Sequence, residues 1–134
     1  MMKKQIALVT LLLLCTSVLF AQTFEVMLPV SISNKPLDGR LLLLFSKSTA
    51  GEPRFQISDD EATQQVFGMD VDQWKPGTKK QFDASAFGYP VETIKQITSG
   101  NYRVQVVLHI YETFKRKDGN IVKLPMDRGE GQHW

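Results

Sequence analysis

The segment SGNYRVQVVLHIYETF (99–114) limits the fold more than any other stretch of this 134-residue chain. Tyr102, Val104, Val106, Leu108 and Ile110 fall on one side of an extended backbone, and Arg103, Gln105, Val107, His109 and Tyr111 fall on the other. A helix would scatter the apolar set around its axis, whereas a strand gathers it into one row. KDGN and then IVKL follow, so the two runs are expected to form a β-hairpin.

The rest of the chain reads the same way. Phe24, Val26, Leu28, Val30 and Ile32 alternate with Thr23, Glu25, Met27, Pro29 and Ser31, which predicts a strand with one apolar face. NKPLDG carries turn chemistry. RLLLLFS (40–46) is apolar on both faces, as a central strand covered from two sides would be, and KSTAGEP is the loop after it. VFGMDVD (66–72) and KQFDAS (80–85) predict shorter strands around the turn WKPG. After FGYP, the spacing of Val91, Ile94 and Ile97 predicts one or two helical turns. A glycine and then Tyr102 at the mouth of a long strand resemble the tyrosine corner of immunoglobulin-like sandwiches, with Val104 where antibody domains carry a cysteine. The alternative is that Tyr102 is a core aromatic. The expected class is all-β: an immunoglobulin-like antiparallel β-sandwich with one short helical crossing.

The N-terminus belongs to a different process. Lys3 and Lys4 precede the apolar run Ile6–Phe20 and the small residue Ala21, the pattern of a secretory signal peptide. The run is shorter than the roughly 20 residues of a membrane-spanning helix. Cleavage after Ala21 would leave Gln22 first and a product with no membrane segment, secreted or periplasmic. Cys15 follows Leu14 rather than the small residue that lipoprotein processing prefers, which disfavours lipidation. The signal carries two of the 16 basic residues and none of the 14 acidic ones, so the exported chain is formally neutral. That balance argues against a nucleic-acid partner, which selects a basic surface. The only cysteine also leaves with the signal, and the remaining 113 residues must fold without disulfides.

Catalytic and metal-binding patterns are sparse. The chain has no G-x-S-x-G elbow, no phosphate-binding glycine loop and no C-x-x-C pair. His109 and His133 are its only imidazoles, and no motif marks a serine partner for either. His109 lies on the polar side of the long strand, which reads as a solvated face or a recognition surface. Asp59, Asp60 and Glu61 form an acidic group, and Asp70 and Asp72 would point the same way on a strand. Neither group has the spaced oxygen ligands of a calcium loop, so no metal or other cofactor is expected, although calcium at Asp59/Asp60 or Asp70/Asp72 stays open.

Five segments, DGRLLLLFS, EPRFQISDDEATQQVFGMDVDQWKPG, FDASAFGYPVETI, GNYRVQVVLHIYETF and VKLPMDRGEGQHW, together resemble the N-terminal module of large secreted bacterial proteins of the esterase class. In that family a β-rich module precedes an α/β-hydrolase domain similar to enterochelin esterases. The resemblance implies a downstream hydrolase domain as partner. It places the nucleophile and its acid and histidine partners beyond Trp134, so no catalytic residue transfers to this chain. On this reading residues 1–21 are signal, 22–125 a sandwich domain and 126–134 a connector, in a chain that is either a gene fragment or a stand-alone paralogue. Asp127, Arg128, Glu130, His133 and Trp134 are then junction or recognition residues. Pro125 stops the IVKL strand, while Gly129 and Gly131 free the neighbouring backbone for loop conformations.

Three functions compete. The first is a non-catalytic accessory module of a secreted esterase-like hydrolase. The second is an independent secreted protein binding glycans or another ligand through Trp74, Phe87, Tyr89 and Trp134. The third, an enzyme built on Asp127, Glu130 and His133, is disfavoured because two glycines give the trio no rigid frame. The export reading predicts that intact mass spectrometry of the exported protein will begin at Gln22, with no lipid; retention of residues 1–21 would contradict it.

Overall fold

A computed structural model describes residues 22–126. The expected signal segment, residues 1–21, and residues 127–134 of the expected connector lie outside the described residues. Among the described residues seven strands run in the order β1 (Phe24–Met27), β2 (Leu37–Ser46), β3 (Gln65–Trp74), β4 (Lys79–Phe82), β5 (Phe87–Tyr89), β6 (Arg103–Lys115) and β7 (Ile121–Pro125). The chain is all-β, and every strand pairing is antiparallel. A five-stranded sheet of order β5-β3-β2-β6-β7 packs against a two-stranded sheet of β1 and β4. The helical crossing is a single 3₁₀ turn, Ile94–Gln96, opened by a reciprocal cap in which Thr93 and Gln96 satisfy each other's backbone N–H groups.

The core forms around β2 because that strand is apolar on both sides. Leu41, Leu43 and Phe45 point inward and join Phe67 and Val71 of β3, Phe82 of β4, Leu28, Trp74 and Ile94 in one buried cluster. The Phe45 ring meets Phe24, Phe67 and Tyr102 edge to face at centroid separations of 5.0, 6.0 and 5.9 Å. Leu44 points the other way and is also fully buried. Its cover is the segment 47–64, whose 3₁₀ turn Pro53–Phe55 lies against β2 and β6 with Pro53 buried. Two side chains of β6 hold that segment down. Arg103 donates to the carbonyls of Thr49 and Gly51 at 2.8 and 2.7 Å. Gln105 accepts from the Arg54 N–H and donates to the Glu52 carboxylate, each at 2.9 Å. Burying each of these large apolar side chains is worth roughly 1.5–3 kcal/mol, against about 0–1 kcal/mol for an exposed ion pair, so β2 dominates the stability.

Several local expectations give way to longer-range packing. The alternation from Phe24 to Ile32 stops as a strand at Met27; the Ile32 N–H turns back to the Pro29 carbonyl, leaving Val30 and Ile32 exposed. Proline has no N–H for a ladder, so the apolar pattern outlasts the strand. The LDG half of the expected turn belongs to β2, which begins at Leu37 and bulges between Leu37 and Gly39. FGYP supplies an edge strand, β5, too short for its periodicity to be read. Gly88 of β5 lies against Phe67, where a Cβ would stand 2.4 Å from the ring, so only glycine lets β5 close over that side chain.

At the start of β6 the Tyr102 hydroxyl donates to the Thr98 carbonyl at 2.9 Å and lies 3.1 Å from the Thr98 hydroxyl. The half-buried ring packs on Phe45, so one side chain serves both as corner and as core edge. Tyr102→Phe keeps the ring and removes the bond. Chemical denaturation should show a loss of about 0.5–1.5 kcal/mol, the net worth of one such hydrogen bond; an unchanged midpoint would show that the corner contributes nothing.

Candidate functional site

Of the residues singled out in the sequence, Asp127, Arg128, Glu130, His133 and Trp134 lie outside the described residues, and Tyr102 occupies the corner. Asp70 and Asp72 do share the outer face of β3, but each faces a cation: Asp70 accepts from Arg40 at 3.0 Å, and Asp72 is paired with Lys123. Asp60 accepts from the Ser58 hydroxyl and the Ala62 N–H, closing its own turn. Among the described residues no three His, Cys, Asp or Glu side chains gather as a metal site would require. His109 is exposed on the outer face opposite Arg40, and no hydrogen bond joins its ring to a hydroxyl among the described residues. The polar face of β6 is not uniformly solvated, because Arg103 and Gln105 are engaged beneath the segment 47–64.

The aromatic residues divide. Trp74 is buried, with its indole N–H donating to the Thr78 carbonyl at 3.2 Å, and so it offers no face to a sugar. Phe87 and Tyr89 stand exposed on the outer side of β5, opposite Gly68 and Val66. Arg40 crosses the sheet toward this edge over Gly68, where a Cβ would lie 2.8 Å from the guanidinium.

The feature least expected from the sequence is on the inner face. Tyr102 and Leu108 of the apolar row are half-buried at the core margin, but Val104, Val106 and Ile110 are 48, 40 and 48% exposed. Phe114, Leu124 and Met126 continue the uncovered row onto β7, with Glu112 as the one acid within it, opposite Leu124. The reason is width. Val104 and Val106 stand level with Phe45 and Leu43, which are buried, so the two-stranded sheet reaches that level but roofs only β2 and β3 and leaves β6 and β7 open. The signal that anticipates this is the small number of apolar runs available to face so many strands. β7 ends at Pro125, and Met126, exposed, follows it. Among the described residues no helix is long and apolar enough to cross a membrane. Beside Tyr102 a separate cleft of about 390 Å³ lies between the segment 47–64 and the Ile94–Gln96 turn.

The far end of the outer face is held by charge. Gln73 adopts φ 45°, the left-handed region that L side chains avoid. Asp38 compensates, accepting from the Gln73 N–H at 2.7 Å and from its side-chain amide at 3.2 Å, while Lys123 of β7 reaches Asp38 at 3.0 Å and Asp72. The Gln73 N–H, and after it Lys123, lower the Asp38 pKa from 3.8 to about 2. The two acids raise Lys123 above its usual value, Asp72 more than Asp38. A carboxyl depressed in the folded state stabilises the fold above its unfolded pKa, and the contribution is lost as pH falls through the folded value. The native protein should therefore lose stability between about pH 4 and pH 2, and Asp38→Asn should flatten that interval in denaturation curves taken across it. Parallel curves for the two proteins would exclude this role for Asp38.

No family model, no curated protein and no solved structure matches the chain.

Proposed function

We propose that this sandwich is a non-catalytic accessory module of a secreted, esterase-like hydrolase and that it docks on the hydrolase domain through the inner face of β6 and β7. The observation that carries the reading is the uncovered row Val104, Val106, Ile110, Phe114, Leu124 and Met126, since contiguous exposed apolar surface of this kind marks interaction sites. The occupant is supported by the sequence resemblance, which implies a following domain. A second reading, an independent ligand- or glycan-binding protein, is favoured by the exposed pair Phe87 and Tyr89 on the β5 edge.

Reading the coding DNA beyond codon 134 tests the first reading directly: a frame continuing into a hydrolase with G-x-S-x-G is expected, and a stop with no neighbouring hydrolase gene would overturn it. With that longer protein in hand, Val106→Thr with Ile110→Thr preserves β-branching and removes apolar contact. The pair should leave the module's own stability within about 1 kcal/mol, the span of strand propensities, while uncoupling its unfolding from that of the hydrolase domain in calorimetry. Residues 22–134 alone should not hydrolyse p-nitrophenyl acetate; turnover that survives purification would speak for an enzyme in its own right.

A further inference from the structure

The cleft beside Tyr102 is separate from the open β6–β7 row and has its own chemistry. Phe45, Ala62, Pro90, Val91 and Ile97 supply its apolar wall, and Lys47 is the one charged side chain among the lining residues. Its volume of about 390 Å³ falls in the range of roughly 300–1,000 Å³ seen for small-molecule pockets.

The lining is rich in amides and hydroxyls, but most of their acceptors already have protein donors. The Gln56 carbonyl oxygen takes the Ser46 hydroxyl. That of Gln65 takes the Val91 N–H at 2.8 Å, and that of Gln96 takes the Thr93 N–H at 3.2 Å. One acceptor, Gln64 Oε1, has no partner, yet it is sealed within the wall with under 1 Å² accessible and out of reach of a ligand. The unused groups are donors. The Lys47 ammonium has only a long 3.4 Å contact to the Thr98 hydroxyl, and the Gln96 amide nitrogen has no hydrogen-bond partner among the described residues. A ligand here must therefore accept hydrogen bonds at one end and be apolar at the other.

The same geometry disfavours a sugar. Lys47 sits over one face of the Tyr102 ring, 5.5 Å from its centroid, and Phe45 packs against the same ring at right angles, which restricts the surface on which a pyranose could stack. We infer that the cleft binds a small amphipathic carboxylate, its carboxyl group held by Lys47 and the Gln96 amide and its hydrocarbon part laid against Val91, Ile97 and Phe45. This assignment does not depend on the docking of β6 and β7.

The test is calorimetric and NMR titration of the protein with sodium octanoate, beside octan-1-ol, octylamine and maltotriose. Octanoate should bind saturably and move the resonances of Lys47, Gln96, Thr98 and Tyr102, and it should bind more tightly than octan-1-ol or octylamine. Lys47→Gln should weaken octanoate by roughly two- to fivefold, the worth of a solvent-exposed ion pair, and leave octan-1-ol unchanged. Lys47→Arg should restore most of the loss. Ile97→Trp, which fills the cleft, should abolish both, with thermal unfolding confirming that each variant is folded. Absence of saturable octanoate binding, indifference to Lys47→Gln, or tighter binding of maltotriose or octylamine would each overturn the assignment.

Discussion

Everything in this molecule is arranged around a strand that is buried on both sides. Leu41, Leu43 and Phe45 require a second layer beneath β2, and Leu44 requires a cover above it. The first demand is met by β1, β4 and the Ile94–Gln96 turn, the second by a long connection that would otherwise be free to move. That connection carries few apolar anchors of its own beyond Pro53, so Arg103 and Gln105 must reach up from β6 to hold its backbone. The polar side of β6 is in this way committed to structure at one end and to solvent at the other.

The small sheet is what turns a sandwich into an unequal one. Two four-residue strands are enough to roof β2 and β3, and they leave the outer half of the five-stranded sheet bare. The charged residues obey the opposite logic. Arg40, Asp38, Asp70, Asp72 and Lys123 gather on the outer face, where they pin β7 across the end of the sheet and hold Gln73 in a backbone conformation that it would not choose alone. The inner face of β6 and β7 is left open and apolar, while ion pairs tie down the far end of the outer face.

How much of this could be read from residues alone depends on the range of the interaction involved. The β6–β7 hairpin, the WKPG turn and the double-sided character of RLLLLFS follow from local pattern, because period two and turn chemistry are properties of neighbours. The end of β1 at Met27 and the entry of Leu37 into β2 were not legible, since a bulge and a proline override an alternation that continues past them. β5 was hidden because three residues carry no period; it exists because Gly88 lets it close on Phe67. The cleft was hidden for a different reason. It is assembled from Lys47, the glutamines of residues 56–65 and the 96–102 corner, which only the folded sheet brings together. The apolar face of β6 was legible as a face, but whether anything covers it depends on how wide the opposing sheet is.

The pairing of β2 with β6 also bears on how the chain reaches this structure. Phe45 lies opposite Val104, 59 residues later, while β2 and β3 and the β6–β7 hairpin join near neighbours. The central ladder therefore closes last in sequence terms and carries the largest loop-closure entropy, which places the domain among the slow, high-contact-order β folds rather than the fast local ones. Until β6 arrives, one edge of β2 presents unpaired backbone groups beside its buried leucines, the kind of edge that invites pairing with another chain. The strand at the centre of the fold is thus left half-paired until the β6–β7 hairpin has been made.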